Sequence, residues 1–207
     1  MNSKNFPMID SQGEAFLEEV VLWTDLNIER KKWSNRDIER KLGRRTAQEV
    51  INSGNTCYMN PCLDLTLVAA ATAQINGIPH TLVIEEHGPT DKFPENRLHF
   101  ALEISEGKEI FLNYKSGNNV QIGSGKYPGR SDIPRIQMVH LDGRDIDYSL
   151  PLHRSLHHSS LNEALKKMFK GYNLAQQLHR LTKDNTERNY QAYLKKSGLT
   201  FKIEYLL

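Results

Sequence analysis

Asn60-Pro61-Cys62-Leu63-Asp64-Leu65-Thr66-Leu67-Val68-Ala69-Ala70-Ala71-Thr72-Ala73-Gln74-Ile75-Asn76-Gly77-Ile78-Pro79 is the stretch that decides how this chain of 207 residues folds. Asparagine is a good N-cap, and proline suits the first helical position, where its missing N–H would have no partner anyway. The run to Ile75 is rich in leucine and alanine, with Leu63, Leu67, Ala70 and Ala71 on one face. Small apolar residues on most sides predict a helix packed centrally. Asn76-Gly77 supplies a C-terminal stop. Cys62 is then the second residue of that helix. There the first-turn N–H groups are unpaired and the helix dipole is positive, so the sequence predicts a lowered thiol pKa. Packing as a small apolar residue is the plainer role for a cysteine in such a place.

Downstream the pattern changes to strands. His80 to Glu85 is the first, Leu98 to Ile104 the second, Glu109 to Tyr114 the third and Arg135 to Leu141 the fourth, stopped by Asp142-Gly143. The second and third strands read as a hairpin joined by Ser105-Glu106-Gly107, a three-residue loop with glycine at the left-handed position. That register sets Ile104 against Lys108, Leu102 against Ile110 and Phe100 against Leu112, leaving one apolar face. On the other face it sets Ala101 against Phe111 and His99 directly against Asn113, with Cβ atoms about 4.5–5.5 Å apart. It also opposes Glu103 to Glu109 with nothing to compensate. Asn113 would orient the His99 imidazole, and Cys62, His99 and Asn113 would then form nucleophile, base and orienter of the base. A solvated or paired strand histidine, and an asparagine that merely forms a turn, are the structural alternatives. The segments Glu86 to Arg97 and Ser116 to Pro134 read as long loops, where specificity would reside.

Upstream, Asp10 to Leu26 reads as a helix with Phe16, Val20 and Trp23 on one face. Ser34-Asn35-Arg36-Asp37 caps a short helix from Asp37 to Leu42, ended by Gly43. Thr46-Ala47-Gln48-Glu49 has capping-box spacing for a brief helix through Ile51 that stops at Ser53-Gly54. Beyond Ser159 the pattern turns helical again. Ser160 caps a run through Leu181, Asp184 or Asn185 caps a last helix to Lys196, and Phe201 to Leu206 closes as a short strand. The order predicts an α+β protein, with residues 1–157 as the core and residues 158–207 as a helical extension packed on it.

The ordered set of motifs resembles the transglutaminase-like core of the papain-type superfamily. In that family a nucleophilic cysteine opens an alanine/leucine-rich helix ending in a Gly-Ile-Pro turn, and Cys62 to Gly77-Ile78-Pro79 has that spacing. Leu98-His99-Phe100-Ala101 is similar to the family's His-Ala-Trp-like strand. Phe111-Leu112-Asn113-Tyr114 is similar to its Leu-Asp-Pro-like strand, with asparagine for the acid. Thr46 to Gly54 resembles the segment leading into the cysteine, so the likeness spans roughly residues 46 to 123. It implies a papain-like core with the helix packed on an antiparallel sheet. It also implies a cysteine-dependent acyl hydrolase or transferase acting on a protein or peptide through a thioester, without cofactor. Cys57 is a second candidate nucleophile, and the Gly-Ile-Pro spacing favours Cys62. A catalytically silent relative serving as a protein-binding module is the alternative.

Composition narrows the other classes. Lys+Arg is 27 against 25 Asp+Glu, a net charge of +2, which makes no general case for nucleic acid or acidic membrane as partner. Arg30 to Arg36 and Arg40 to Arg45 are basic, but Glu29, Asp37 and Glu39 interleave, so solvated helical faces are expected. The two cysteines, Cys57 and Cys62, cannot form a disulfide scaffold, and a bridge between them would close a very small loop. Met1 to Pro7 lacks the apolar core of a signal peptide. The apolar run Leu63 to Ala73 falls short of the roughly 20 residues a membrane span needs, so a cytoplasmic location is expected. His153, His157 and His158 cluster without a CxxC or HExxH pattern, and no metal is expected there. Gly123-Ser124-Gly125-Lys126 lacks phosphate-loop spacing. Oligomeric state leaves no mark in the sequence.

Overall fold

A computed structural model describes residues 5–58, 60–87, 97–105, 107–115, 119–129 and 135–155. The expected helices and strand beyond Ser159, the 157/158 boundary and the pair His157 and His158 lie outside these residues.

Local signals place the helices. α1 spans Gly13–Asn27 and buries Phe16, Leu17, Val20 and Thr24. α2 spans Asn35–Lys41, with the Ser34 side chain accepting the Asp37 N–H as its cap. α3 spans Ala47–Ser53 and carries a complete capping box: Thr46 Oγ1 accepts the Glu49 N–H, and Glu49 accepts the Thr46 N–H in return. α4 spans Pro61–Ile75, and every residue from Pro61 to Ala73 is buried, as a central helix requires. Proline stands at its first position as expected. Asn60 precedes it but contributes no side-chain cap bond, contrary to expectation.

Between these helices lies a feature the sequence does not signal. β1 (Glu29–Lys31) and β2 (Asn55–Cys57) pair in parallel, Glu29 with Asn55 and Lys31 with Cys57. Three residues each are too few for a periodic pattern to register.

The main sheet has five antiparallel strands: β3 (His80–His87), β4 (Arg97–Ser105), β5 (Glu109–Tyr114), β6 (Val120–Ser124) and β7 (Arg135–Asp142), in the order β6-β5-β4-β3-β7. β6 lies within the segment read as the loop Ser116 to Pro134. Its apolar residues are only Val120 and Ile122, both partly buried against the core, too short a pattern to announce a strand, and it pairs along its length with β5. A single 3-10 turn (Gly143–Asp145) and the short α5 (Leu152–Ser155) follow β7.

The hairpin register differs from expectation by two residues. Ser105 pairs with Glu109, Ile104 with Ile110, Leu102 with Leu112 and Ala101 with Asn113. Three positions still separate the strands, but the glycine occupies the middle one, with φ of +71°. Packing explains the choice. The observed register puts Ile104 on Ile110 instead of Lys108, and it moves Glu103 from Glu109 to Phe111. Like charges directly opposed destabilise a sheet, whereas apolar pairs support it.

One row of side chains crosses all five strands: Leu141, Leu82, Leu102, Leu112 and Ile122. This face meets α4 and α1 and belongs to the main core, with Phe100, Ile84 and Tyr114. The alternate face carries a smaller cluster of Val83, Ala101, Phe111 and Tyr127. No described helix is long and apolar enough to cross a membrane.

Candidate active site

Cys62 sits in the first turn of α4, where the helix start meets strand β4, and is only 4 % exposed. The backbone N–H groups of Leu63 and of Cys62 itself favour a charged sulfur, as a helix start should, and Phe100 of β4 adds a third. Burial outweighs all three and pushes the thiol up to about 12. The expected lowering of its pKa is therefore reversed: the helix start acts on the sulfur, but loss of water around the thiolate acts more strongly.

The arrangement of the helix start depends on a buried ion pair. Asp64, 1 % exposed, accepts from the Arg45 guanidinium and, at 2.8 Å, from Thr56 Oγ1. Burial works to raise the Asp64 carboxyl against the pull of Arg45 and Thr56. Arg45 also donates to Ser53 Oγ and to the Asn55 carbonyl, and its guanidinium stacks 4.7 Å from the centre of the Trp33 ring. Arg45 is thus a buried strut tying α3, β2 and α4 together, not part of a solvated basic face. Cys57 is buried as well, at 1 % exposure, and both cysteines are unbridged.

His99 and Asn113 come together, by a different route from the one expected. Ala101, not His99, stands directly opposite Asn113. His99 is two residues along the same face, a diagonal that longer side chains can span. Its Nε2 lies 2.7 Å from Asn113 Oδ1, and both residues are 3 % exposed. An amide oxygen can only accept, so Nε2 carries the proton and donates it. The second ring nitrogen, Nδ1, is then the basic one in the neutral ring.

A further cluster shares this face. Glu85 stands directly opposite His99 across β3 and β4 and is fully buried. His87, two residues on, brings Nε2 to 2.9 Å from Glu85 Oε2, and its ring meets that of His99 edge-on at 6.4 Å between centres. The Tyr127 hydroxyl donates to the same oxygen at 3.3 Å, and Arg135 Nε lies 3.1 Å from Oε1. Burial would raise the Glu85 carboxyl. The hydrogen bond from His87 and the charges of His87, Arg135 and His99 outweigh it, so the net shift is downward. Tyr127 moves upward: burial leads, and Glu85 and Cys62 both oppose a phenolate there. Glu85 and His87 escape the sequence reading because it ends the first strand at Glu85. The alternation Thr81, Val83, Glu85, His87, continued to the end of β3, is the signal that reveals them. Among the described residues no group of three or more His, Cys, Asp or Glu side chains could hold a metal ion.

No family model matches the chain, and no curated protein matches it either. Among solved structures it is similar to calcium-bound LapG of Legionella pneumophila, at 16 % identity and a TM-score of 0.43, over 78 % of this chain and 83 % of that one. An overlap of that size does not fix a shared fold.

Proposed function

We propose that the chain is a transglutaminase-like, cysteine-dependent acyl hydrolase or acyl transferase, with Cys62 as nucleophile, His99 as base and Asn113 as its orienter. The observation that carries this reading is the His99–Asn113 hydrogen bond, which fixes the imidazole with Nδ1 as its basic nitrogen. It lies one residue from Phe100, whose backbone N–H favours a charged Cys62 sulfur. The buried thiol stays protonated at rest, so proton transfer accompanies attack. The Cys62 proton passes to His99 Nδ1 as the sulfur bonds to the carbonyl carbon of a protein or peptide substrate. Backbone N–H groups at the start of α4 would stabilise the oxyanion. His99 returns the proton to the leaving amine as the C–N bond breaks, leaving a thioester. Water then releases the acid, or a second amine takes the acyl group, and Cys62 regains its proton.

The thiol's burial and its raised pKa favour a second reading, a catalytically silent interaction module of the same fold. Iodoacetamide labelling of the intact chain at neutral pH, read by peptide mass, decides between them. The enzyme reading expects labelling dominated by Cys62, lost in Cys62→Ala, retained in Cys57→Ala and slowed in His99→Ala. Fast labelling lost only in Cys57→Ala would transfer the role to Cys57. Equal, slow labelling of both cysteines would establish the silent module.

A further inference from the structure

We propose that Glu85 is a positioning residue for His99: its buried carboxylate supplies the negative charge beside the imidazolium that the neutral Asn113 amide does not. The proposal rests on the reading of His99 as base.

The register is the first support. Glu85 and His99 are direct partners across β3 and β4 and share the polar face, which places their Cβ atoms about 4.5–5.5 Å apart. The second support is how the carboxylate is held. His87 and Tyr127 hydrogen-bond Oε2, Arg135 Nε lies at ion-pair distance from Oε1 without a hydrogen bond to it, and the His87 ring also meets the His99 ring edge-on. Backbone is also shaped to fit. Gly129 has φ of +70°, and a side chain there would collide with Glu85 Oε1 and the Arg135 guanidinium, so the chain passes directly over the pair. A buried carboxylate is costly unless it is paired and hydrogen-bonded, and this one is placed where an imidazolium would form. The influence is mutual: a charge on His99 favours the ionised Glu85, so an ionised Glu85 favours the charge on His99.

Other charged and titratable groups near His99 are identifiable. β3 contributes Glu85 and His87, β7 contributes Arg135, and the segment after β6 contributes Tyr127, on which Cys62 at the start of α4 acts in turn. β5 contributes the neutral Asn113. Farther along the face, Glu103 pairs with His140 at 3.4 Å.

The test is the His99 titration followed by nitrogen-15 NMR of the imidazole in the full chain, with iodoacetamide labelling of the same samples. In Glu85→Gln, which keeps the side-chain shape, the His99 midpoint is expected to fall by roughly one pH unit. In Arg135→Gln, which removes the cation beside Glu85, it is expected to rise by less. A residue with a merely structural role would move neither midpoint. An unchanged or higher midpoint in folded Glu85→Gln overturns the proposal. Should Glu85→Gln fail to fold, Arg135→Gln decides: Arg135 is 34 % exposed, so its loss leaves no buried cation, and an unchanged or lower midpoint overturns the proposal. Failure of Cys62 to label would refute the nucleophile while leaving the His99 midpoints readable, so the two failures are distinct.

Discussion

The two faces of the five-stranded sheet are made of the same strands, residue by alternate residue, and solve opposite problems. Toward α4, Leu141, Leu82, Leu102, Leu112 and Ile122 form an apolar row across the sheet, and register follows from keeping that row intact. Toward the other side, Glu85, His87, His99 and Asn113 are buried polar groups, each needing a specific partner. The apolar face tolerates any arrangement that fills space. The polar face tolerates only one in which donors meet acceptors. The difference teaches that the first face sets the register, while the second gathers buried polar groups that can hold and move a proton.

Breaking the apolar face should have the largest effect. Leu102 is fully buried at the centre of the row, and Leu102→Ala is expected to cost about 2–5 kcal/mol of unfolding free energy in urea titration. Below the unfolding midpoint, Cys62 should remain the preferred labelling site. Next comes Asn113→Ala on the polar face. It removes the hydrogen bond that His99 Nε2 donates and is expected to slow Cys62 labelling about 10- to 100-fold, equivalent to about 1.4–2.8 kcal/mol, with a smaller loss of stability than Leu102→Ala. A stability loss larger than that of Leu102→Ala would erase the distinction between the faces. The smallest effect is that of acid. The folded-state pKa of Glu85 lies below its ordinary value, so the folded chain binds fewer protons than the unfolded one. The resulting stability is complete above about pH 4.3 and is lost as pH falls through the lowered folded value. Glu85→Gln should flatten that part of the stability profile, whereas Leu102→Ala should lower the whole profile without changing its slope there.

Much of the candidate site is legible in the sequence. Cys62 at a helix start, His99 on the polar face of a strand and Asn113 on its neighbour all follow from caps and alternation. What escapes is their relation. The two-residue change of register replaces a direct His99–Asn113 opposition with a diagonal one, and the hydrogen bond survives because the imidazole is long enough to reach. Glu85 and His87 escape because a polar pair at the end of a strand looks like the start of a loop. Arg45 escapes because nothing within a few residues of it reveals a partner at Asp64.

By itself the sequence determined what depends on neighbours a few residues away. The Thr46–Glu49 box starts α3, Pro61 starts α4, and the period-two pattern makes strands of β3, β4, β5 and β7. These are short-range effects of dihedral preference and orphaned N–H groups, and each is readable from a window of the chain. Only the tertiary structure decided which strands are neighbours, in which register, and how much water reaches Cys62. Helix geometry favours the thiolate from within one turn, but desolvation comes from all the atoms packed around the sulfur. That is why the same cysteine reads as activated in the sequence and is held as a neutral thiol, pushed up to about 12, in the folded chain.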